Sequence, residues 1–230
     1  MQLFHCPSCA GLVFFDNDRC LACGTELAFS LTEGHFVPRP TEAAANCSNR
    51  ELIGCHWLAD TTHPDGLCPA CAFNEGIPDL SDPAAVKLWA TLEEAKRRVL
   101  FQLSQLGNFP PNRRQDANAG LAFAFLRNLP GEEVTTGHAN GLITIDLAEA
   151  DPAGRERLRQ QLGERYRTPL GHFRHELGHY FWMRWAGDPV FLYACRGHFG
   201  DERADYGASL ENHYTYGPPA NWAERHISPY

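Results

Sequence analysis

A His-Glu-x-x-His pentad is the part of the sequence best suited to chemistry. It lies within residues 173–182 as His175, Glu176 and His179. On a helix, residues four apart share a face, so the two imidazoles can point at one cation while Glu176 lies beside them. Zinc hydrolases use this arrangement, with two nitrogen ligands and a carboxylate that takes a proton from water. The pentad therefore predicts a catalytic Zn²⁺ site with His175 and His179 as ligands and Glu176 as general base.

The residues around the pentad fit a buried active-site helix. Phe173, Leu177 and the aromatic run 180–182 are apolar or amphipathic, as a helix packed against a core requires. Thr168 and Pro169 predict the start of this helix, because proline is favoured at the first helical position. We expect it to continue to about Trp185. The simpler alternative, a core helix with two incidental histidines, stays open from these residues alone.

Eight of the nine cysteines lie in the first 71 residues, at spacings typical of metal ligands. Two Cys-x-x-Cys knuckles enclose a strand predicted over residues 12–15 and a turn at 16–18, which is the pattern of a zinc ribbon. A redox dithiol would need only one such motif within a thioredoxin-like pattern, which is missing here. The predicted ligands of this structural Zn²⁺ are Cys6, Cys9, Cys20 and Cys23.

A second group of cysteines follows with one regular knuckle and one looser pair. We predict a second structural zinc site, in which His56 or His63 could replace one of the two looser cysteines. A module of this size buries too little surface to be stable alone, so the metals would supply its folding energy. The predicted ligands are Cys47, Cys55, Cys68 and Cys71.

Charge and hydropathy exclude several classes of protein. The 230 residues carry a net charge of −8, of which residues 1–80 hold −7, with 3 Lys and Arg against 10 Asp and Glu. Such an acidic region disfavours a phosphate-binding surface, so we expect no nucleic-acid partner. No apolar run is long enough to span a bilayer, and the N-terminus lacks the features of a signal peptide. We therefore expect a cytoplasmic protein without a membrane partner.

A proline-rich boundary at residues 77–83 divides the chain. It predicts a zinc-ribbon region at 1–80 and a second domain at 81–230. Asp82 and Pro83 predict a helix that runs to about Leu106. Its apolar residues repeat at helical spacing and should face the core, whereas we expect the basic run 96–98 to lie on the solvated surface.

The remaining elements indicate an α+β fold. Strands are predicted at 121–126 and 142–147, with a weaker strand at 132–135 between them. A charged helix should run from Pro152 to about Arg167, ahead of the pentad helix. After a loop that contains Cys195 and His198, residues 201–213 should form a further helix.

Taken together, these motifs are similar to those of a bacterial family of zinc-binding metallopeptidases with an N-terminal zinc ribbon. The resemblance implies a zincin-like, gluzincin-type domain whose central helix carries the pentad, and it covers the chain from end to end. The stretches that carry it are the two cysteine groups and residues 77–80, 136–138, 141–145, 166–168, 171–176 and 199–206.

The resemblance also implies the missing parts of a catalytic site. Members of the family continue past a Ser-x-Tyr segment, here residues 228–230, to a glutamate that is the third zinc ligand. By this match Tyr230 stabilises the oxyanion, and the domain is truncated at its C-terminus. If the protein ends at Tyr230, Glu202 is the first alternative for the third ligand. Other candidates near the metal are Asp201, Asp205, His172 and His138.

We therefore predict a zinc-dependent peptidase that hydrolyses peptide or isopeptide bonds in a peptide or protein substrate. The alternative is a non-catalytic module that binds a protein partner through its zinc ribbons and has a degenerate or incomplete peptidase site. The residues indicate no cleavage preference.

Overall fold

The computed structural model describes residues 2–129, 131, 134–161, 166–218 and 220–225. The chain divides into two compact units, Met1–Tyr180 and Phe181–Tyr230. The elements form a mixed helix and sheet fold, which confirms the predicted α+β class. Within the described ranges, no helix is long and apolar enough to cross a membrane.

Two small antiparallel hairpins begin the first unit. Strands β1 (Phe4–His5) and β2 (Leu12–Val13) form one, and β3 (Leu27–Ser30) and β4 (His35–Pro38) form the other. Strand β2 is shorter than predicted, because the Phe14 N–H donates to Asn17 Oδ1 at 2.9 Å and starts the turn early. A short helix α1 (Arg50–Ile53) follows.

Aromatic rings fill the space between these hairpins. Phe4 meets Phe36 edge-on at 5.2 Å between ring centroids, and Phe15 meets Phe29 at 5.2 Å. Phe101, which belongs to the next helix, stacks on Phe15 at 4.4 Å. Aromatic side chains bury a large apolar area each, which a region of this size needs in order to form a core.

Helix α2 (Pro83–Gln105) follows the predicted course. The Asp82 carboxylate accepts the backbone N–H groups of Ala84 and Ala85 at 2.9 and 3.2 Å, and Pro83 occupies the first turn. The capping carboxylate and the proline both stabilise the first turn of a helix, and both act through neighbouring residues only. Its apolar face buries Trp89, Leu92 and Leu100.

Two residues of the basic run on α2, Lys96 and Arg97, are not on the solvated surface, contrary to our prediction, whereas the Arg98 side chain is 41% exposed. The side chain of Lys96 is fully buried and Arg97 is 3% exposed. Lys96 Nζ donates to Glu93 Oε1 at 2.7 Å and to Asn74 Oδ1. Burial of a charge is tolerated when an opposite charge and hydrogen bonds accompany it. For Lys96, the opposite charge is Glu93, one helical turn earlier, and a further hydrogen-bond partner is Asn74, which lies outside the helix.

The main sheet has four strands in the order β5-β6-β8-β7. Strands β5 (Asn74–Gly76), β6 (Ala122–Leu126) and β8 (Leu142–Asp146) are parallel neighbours. Helix α2 connects β5 to β6 and packs on the sheet, where the Trp89 and Phe125 rings lie 6.4 Å apart. This β-α-β unit is the usual way to join parallel strands.

One edge of the sheet is strand β7 (Gly137–Ala139), which is antiparallel to β8. The weaker strand predicted at 132–135 is wrong at 134–135, which are not extended in the sheet, and 132–133 lie outside the described residues. The turn between β7 and β8 contains Asn140 and Gly141, both with positive φ (49° and 84°). Asn-Gly is the pair that a two-residue hairpin turn favours, so this signal was present in the sequence.

Two helices complete the first unit and lead into the second. Helix α3 (Pro152–Gln161) begins as predicted, but residues 166–168 are not helical, so the predicted end at Arg167 is wrong. Helix α4 (Pro169–Trp185) carries the pentad and has the predicted bounds. Phe173 of α4 packs edge-on against Phe123 of β6 at 5.6 Å.

Among its described residues, the second unit contains three further helices, α5 (Pro189–Phe199), α6 (Tyr206–Tyr216) and α7 (Trp222–Arg225). Helix α5 replaces the loop that we predicted around Cys195 and His198. The Asp188 carboxylate caps it by accepting the Val190 N–H at 2.8 Å, with Pro189 in the first turn. The helix predicted at 201–213 starts later, because Asp205 caps α6 at the Ala208 N–H.

Candidate metal centres

The pentad histidines point at one another from adjacent turns of α4. Their Nε2 atoms are 3.2 Å apart and the ring planes are 77° from parallel. Two nitrogen ligands of a tetrahedral Zn²⁺ lie about 3.3 Å apart when each bond is about 2.05 Å. Both histidines are exposed, whereas Glu176 is only 7% exposed. The spacing of the pair therefore fits one zinc ion at a solvent-exposed position.

The opposite face of α4 fixes this geometry. Phe173, Leu177 and Tyr180 are buried and follow the three-to-four-residue spacing of a core-facing stripe. The Tyr180 hydroxyl donates to the carbonyl oxygen of Ala119 at 3.1 Å, which ties the helix to the loop before β6. Because residues 175 and 179 lie away from this stripe, packing of the stripe turns both imidazoles outward.

The acidic candidates for a third ligand have other partners in the second unit. Glu202 accepts two bonds from the Arg196 guanidinium, at 2.9 and 2.5 Å. Asp201 pairs with Arg203 at 2.7 Å, and Asp205 caps α6. The guanidinium of Arg203 holds the pKa of Asp201 well below its usual range.

Across the described ranges, the only groups of three or more metal ligands within reach of one ion are the two cysteine clusters. Tyr230 lies outside the described residues.

The two other histidines near the pentad have roles of their own. His172 Nε2 lies 3.6 Å from Glu149 Oε2, and Arg167 donates to the same carboxylate at 2.7 Å. Glu149 has no distinctive signal in the sequence, because it is a single glutamate in a short turn after a strand. His138 Nε2 accepts the Gly141 N–H at 3.1 Å, and burial, with the nearby His179, lowers the pKa of His138. That hydrogen bond makes His138 part of the β7–β8 turn.

The first cysteine cluster has the dimensions of a zinc site. The Sγ atoms of Cys6 and Cys23, and those of Cys9 and Cys20, are each 3.7 Å apart. A tetrahedral site with Zn–S bonds of about 2.3 Å has sulfurs about 3.8 Å apart. The two knuckles share one backbone hydrogen bond. The Ala10 N–H donates to the carbonyl oxygen of Cys6, and the Gly24 N–H donates to that of Cys20, each at 2.9 Å.

The second cysteine cluster has similar distances but is fully buried. Cys55 Sγ lies 3.5 Å from Cys68 Sγ and 3.8 Å from Cys71 Sγ, and Cys47 Sγ accepts the Cys68 N–H at 3.3 Å. Burial, more than the other three sulfurs, raises the pKa of Cys68 well above its usual range. Four such groups become thiolates together only when a cation neutralises them. The donor set and its spacing fit Zn²⁺.

Neither alternative ligand joins the second cluster. His56 is buried, and its pKa is lowered to about 3, first by burial and then by Arg97 and Arg50. Its ring packs against Phe15 and Phe36. His63 lies in a turn, where its Nδ1 accepts the Asp65 N–H at 3.2 Å. The four cysteines alone therefore form the group.

These features define a zinc-ribbon protein whose second part is a mixed helix and sheet domain of the peptidase type. Residues 85–230 match the family described as "Putative zinc-binding metallo-peptidase", and residues 3–82 match a zinc-ribbon domain. The chain belongs to this zinc-binding metallo-peptidase family.

Similar proteins occur in mycobacteria. An uncharacterized protein of Mycobacterium tuberculosis H37Rv and another of Mycobacterium bovis are each 41% identical to this chain over 232 residues. The match covers all of this chain and 68% of each relative. No solved structure matches the chain significantly.

Proposed function

We propose that the protein is a zinc-dependent peptidase whose catalytic metal is held by His175 and His179. The observation that carries this proposal is the 3.2 Å approach of the two Nε2 atoms, beside a buried glutamate, on the helix of a metallo-peptidase family member. The substrate is a peptide or protein, and the scissile group is a peptide or isopeptide carbonyl.

Each pentad residue has a defined role in this proposal. Zinc, when bound, polarises the scissile carbonyl and makes water a better nucleophile. His175 and His179 supply the Nε2 lone pairs that hold the ion. Glu176 takes a proton from the attacking water and delivers it to the leaving amine, as a general base and then a general acid.

Two further parts of the site are proposed from the family resemblance. Tyr230 would donate a hydrogen bond to the developing oxyanion, which typically contributes a factor of about 10² to 10³ in rate. The third metal ligand would be a glutamate beyond Tyr230. If the protein ends at Tyr230, the first alternative is Glu202, which would have to exchange its ion pair with Arg196.

The two cysteine clusters are proposed as structural zinc sites that stabilise the ribbon region. Their sulfur spacings and burial support this assignment. We also keep the division at residue 80, between a ribbon region and a peptidase domain, as a proposal.

The direct test is Glu176→Gln in the full-length protein, assayed for zinc content and for hydrolysis of a quenched-fluorescent peptide library. We expect unchanged zinc content and a loss of about 10² to 10⁴ in rate, because glutamine cannot take the proton. The matched control is Glu94→Gln, an exposed glutamate on α2, which should behave as the wild type. Turnover retained in Glu176→Gln would refute the assignment of Glu176.

A second candidate function is a non-catalytic module that binds a protein through the first ribbon. Exposed apolar side chains on this ribbon favour it, above all Leu21, which is 85% exposed. Leu3, Leu12 and Phe14 are also about half exposed. A wild-type protein with zinc in the cysteine clusters alone, and no hydrolysis of any library peptide, would favour this candidate.

A further inference from the structure

The second cysteine cluster poses an electrostatic problem that the first does not. Four thiolates around one Zn²⁺ leave a net negative charge. In the first cluster Cys9 and Cys23 are exposed, so water can solvate that charge. In the second cluster all four cysteines are buried. A buried net charge is costly unless a nearby opposite charge compensates it.

Arg97 of α2 is a buried cation that lines one cavity with Gly54 and His56, the residues on either side of the ligand Cys55. It is 3% exposed, and its Nε and Nη1 atoms have no hydrogen-bond partner among the described residues. Burial disfavours the charged form, but neighbouring negative charges outweigh this effect and raise the pKa of Arg97. The groups that supply these charges are Cys55, Glu93, Cys71 and Cys68.

Glu93 already has a cation of its own. Its Oε1 accepts bonds from Lys96 Nζ at 2.7 Å, Asn74 Nδ2 at 2.8 Å and Trp89 Nε1 at 3.1 Å. Because Lys96 neutralises Glu93, the charge of Arg97 remains to balance the cluster. Arg50, which follows the ligand Cys47 by three residues, is partly engaged elsewhere, because its Nη2 donates to the carbonyl oxygen of Leu27 at 3.2 Å.

The same helix also holds the chain that leaves the cluster. Asn74 lies three residues after the ligand Cys71, and both Glu93 and Lys96 bond to its side chain. Helix α2 therefore provides the buried cation Arg97. Its residues Glu93 and Lys96 also hold Asn74, in the segment that follows the ligand Cys71.

We propose that Arg97 is the buried counter-ion of the zinc–thiolate cluster formed by Cys47, Cys55, Cys68 and Cys71, and that zinc retention there depends on it. This inference rests on the proposed zinc occupancy of that cluster. It makes α2, which also packs on the main sheet, part of the second zinc site.

The test is zinc transfer from the full-length protein to a chromogenic chelator. Release from the two clusters is assigned with Cys20→Ser and Cys68→Ser. Residues that act through metal ligands typically change metal affinity by about 10- to 100-fold. In Arg97→Gln we expect a loss of this size in the second cluster and none in the first. Arg97→Lys, which keeps the charge, should retain most of the affinity, and Arg98→Gln is the neighbouring control.

Each alternative outcome has a definite meaning. Wild-type zinc affinity in Arg97→Gln, or an equal loss in Arg97→Lys, would overturn the counter-ion role while zinc binding itself stands. A wild-type protein without zinc in the second cluster would overturn the proposed occupancy and this inference with it. If Arg97→Gln is unfolded, excess zinc should restore folding by mass action, and failure of that rescue would point to a packing role instead.

Discussion

At the level of single side chains, the direction of each imidazole nitrogen decides what a histidine can do. The Nε2 atoms of His175 and His179 meet each other at the surface. By contrast, His138 Nε2 accepts the Gly141 N–H, and His56 is enclosed by aromatic rings. The histidines of this chain therefore separate into candidate ligands and structural residues, a distinction that spacing along the chain provides only for the pentad.

This difference leads to a prediction for two neighbouring histidines. His179→Gln should remove the zinc of the proposed catalytic site, because only one protein nitrogen of the pair would remain. His138→Gln should keep that zinc, since its side chain serves the β7–β8 turn. Zinc content by mass spectrometry checks both variants. Equal zinc loss in the two would show that His138 also holds the metal.

At the level of secondary structure, α2 connects the ribbon region to the main sheet. Phe101 stacks in the aromatic core of the ribbon, Trp89 packs on β6, and the buried Glu93–Lys96 pair lies between them. Lys96 Nζ also lies 5.5 and 5.4 Å from the centroids of Phe123 and Phe125. Loss of one partner would leave the other charge buried and unpaired.

Lys96→Met should therefore destabilise the protein strongly. Removal of one member of a buried pair typically costs about 3–5 kcal/mol in the free energy of unfolding. The control Lys87→Met, at an exposed position of the same helix, should change it by less than about 0.5 kcal/mol. Urea unfolding at saturating zinc measures both, and similar stability of the two variants would contradict the importance of the buried pair.

The same helix shows which features the sequence could predict. The bounds of α2 and α4 were predictable because an N-cap residue and a proline at the first turn act locally. The Asp188–Pro189 start of α5 and the Asn140–Gly141 turn are equally local signals that were overlooked. Burial of Lys96 and Arg97 was not predictable, because Asn74 and the cysteine cluster reach them only through the tertiary fold.

At the level of the whole molecule, three proposed zinc sites differ in what surrounds them. The first cluster is partly exposed, the second is buried beside a cation, and the histidine pair is open to solvent. Cysteine spacing predicted the members of both clusters, whereas the third ligand of the pentad site could not be fixed from helical periodicity. We expect zinc affinity to be lowest at the histidine pair, which is open to solvent. This site should therefore lose its zinc to a chelator before the two cysteine clusters do.

The measurement that tests the central claim most directly is the number of zinc ions bound by the full-length protein, compared with that of a His175→Ala and His179→Ala double variant. We predict three zinc ions per chain for the wild type, two in the cysteine clusters and one at the pentad. The double variant should hold two zinc ions, and its circular dichroism spectrum should match that of the wild type. Two zinc ions in the wild type, or no change on removal of both histidines, would contradict a catalytic zinc site on α4.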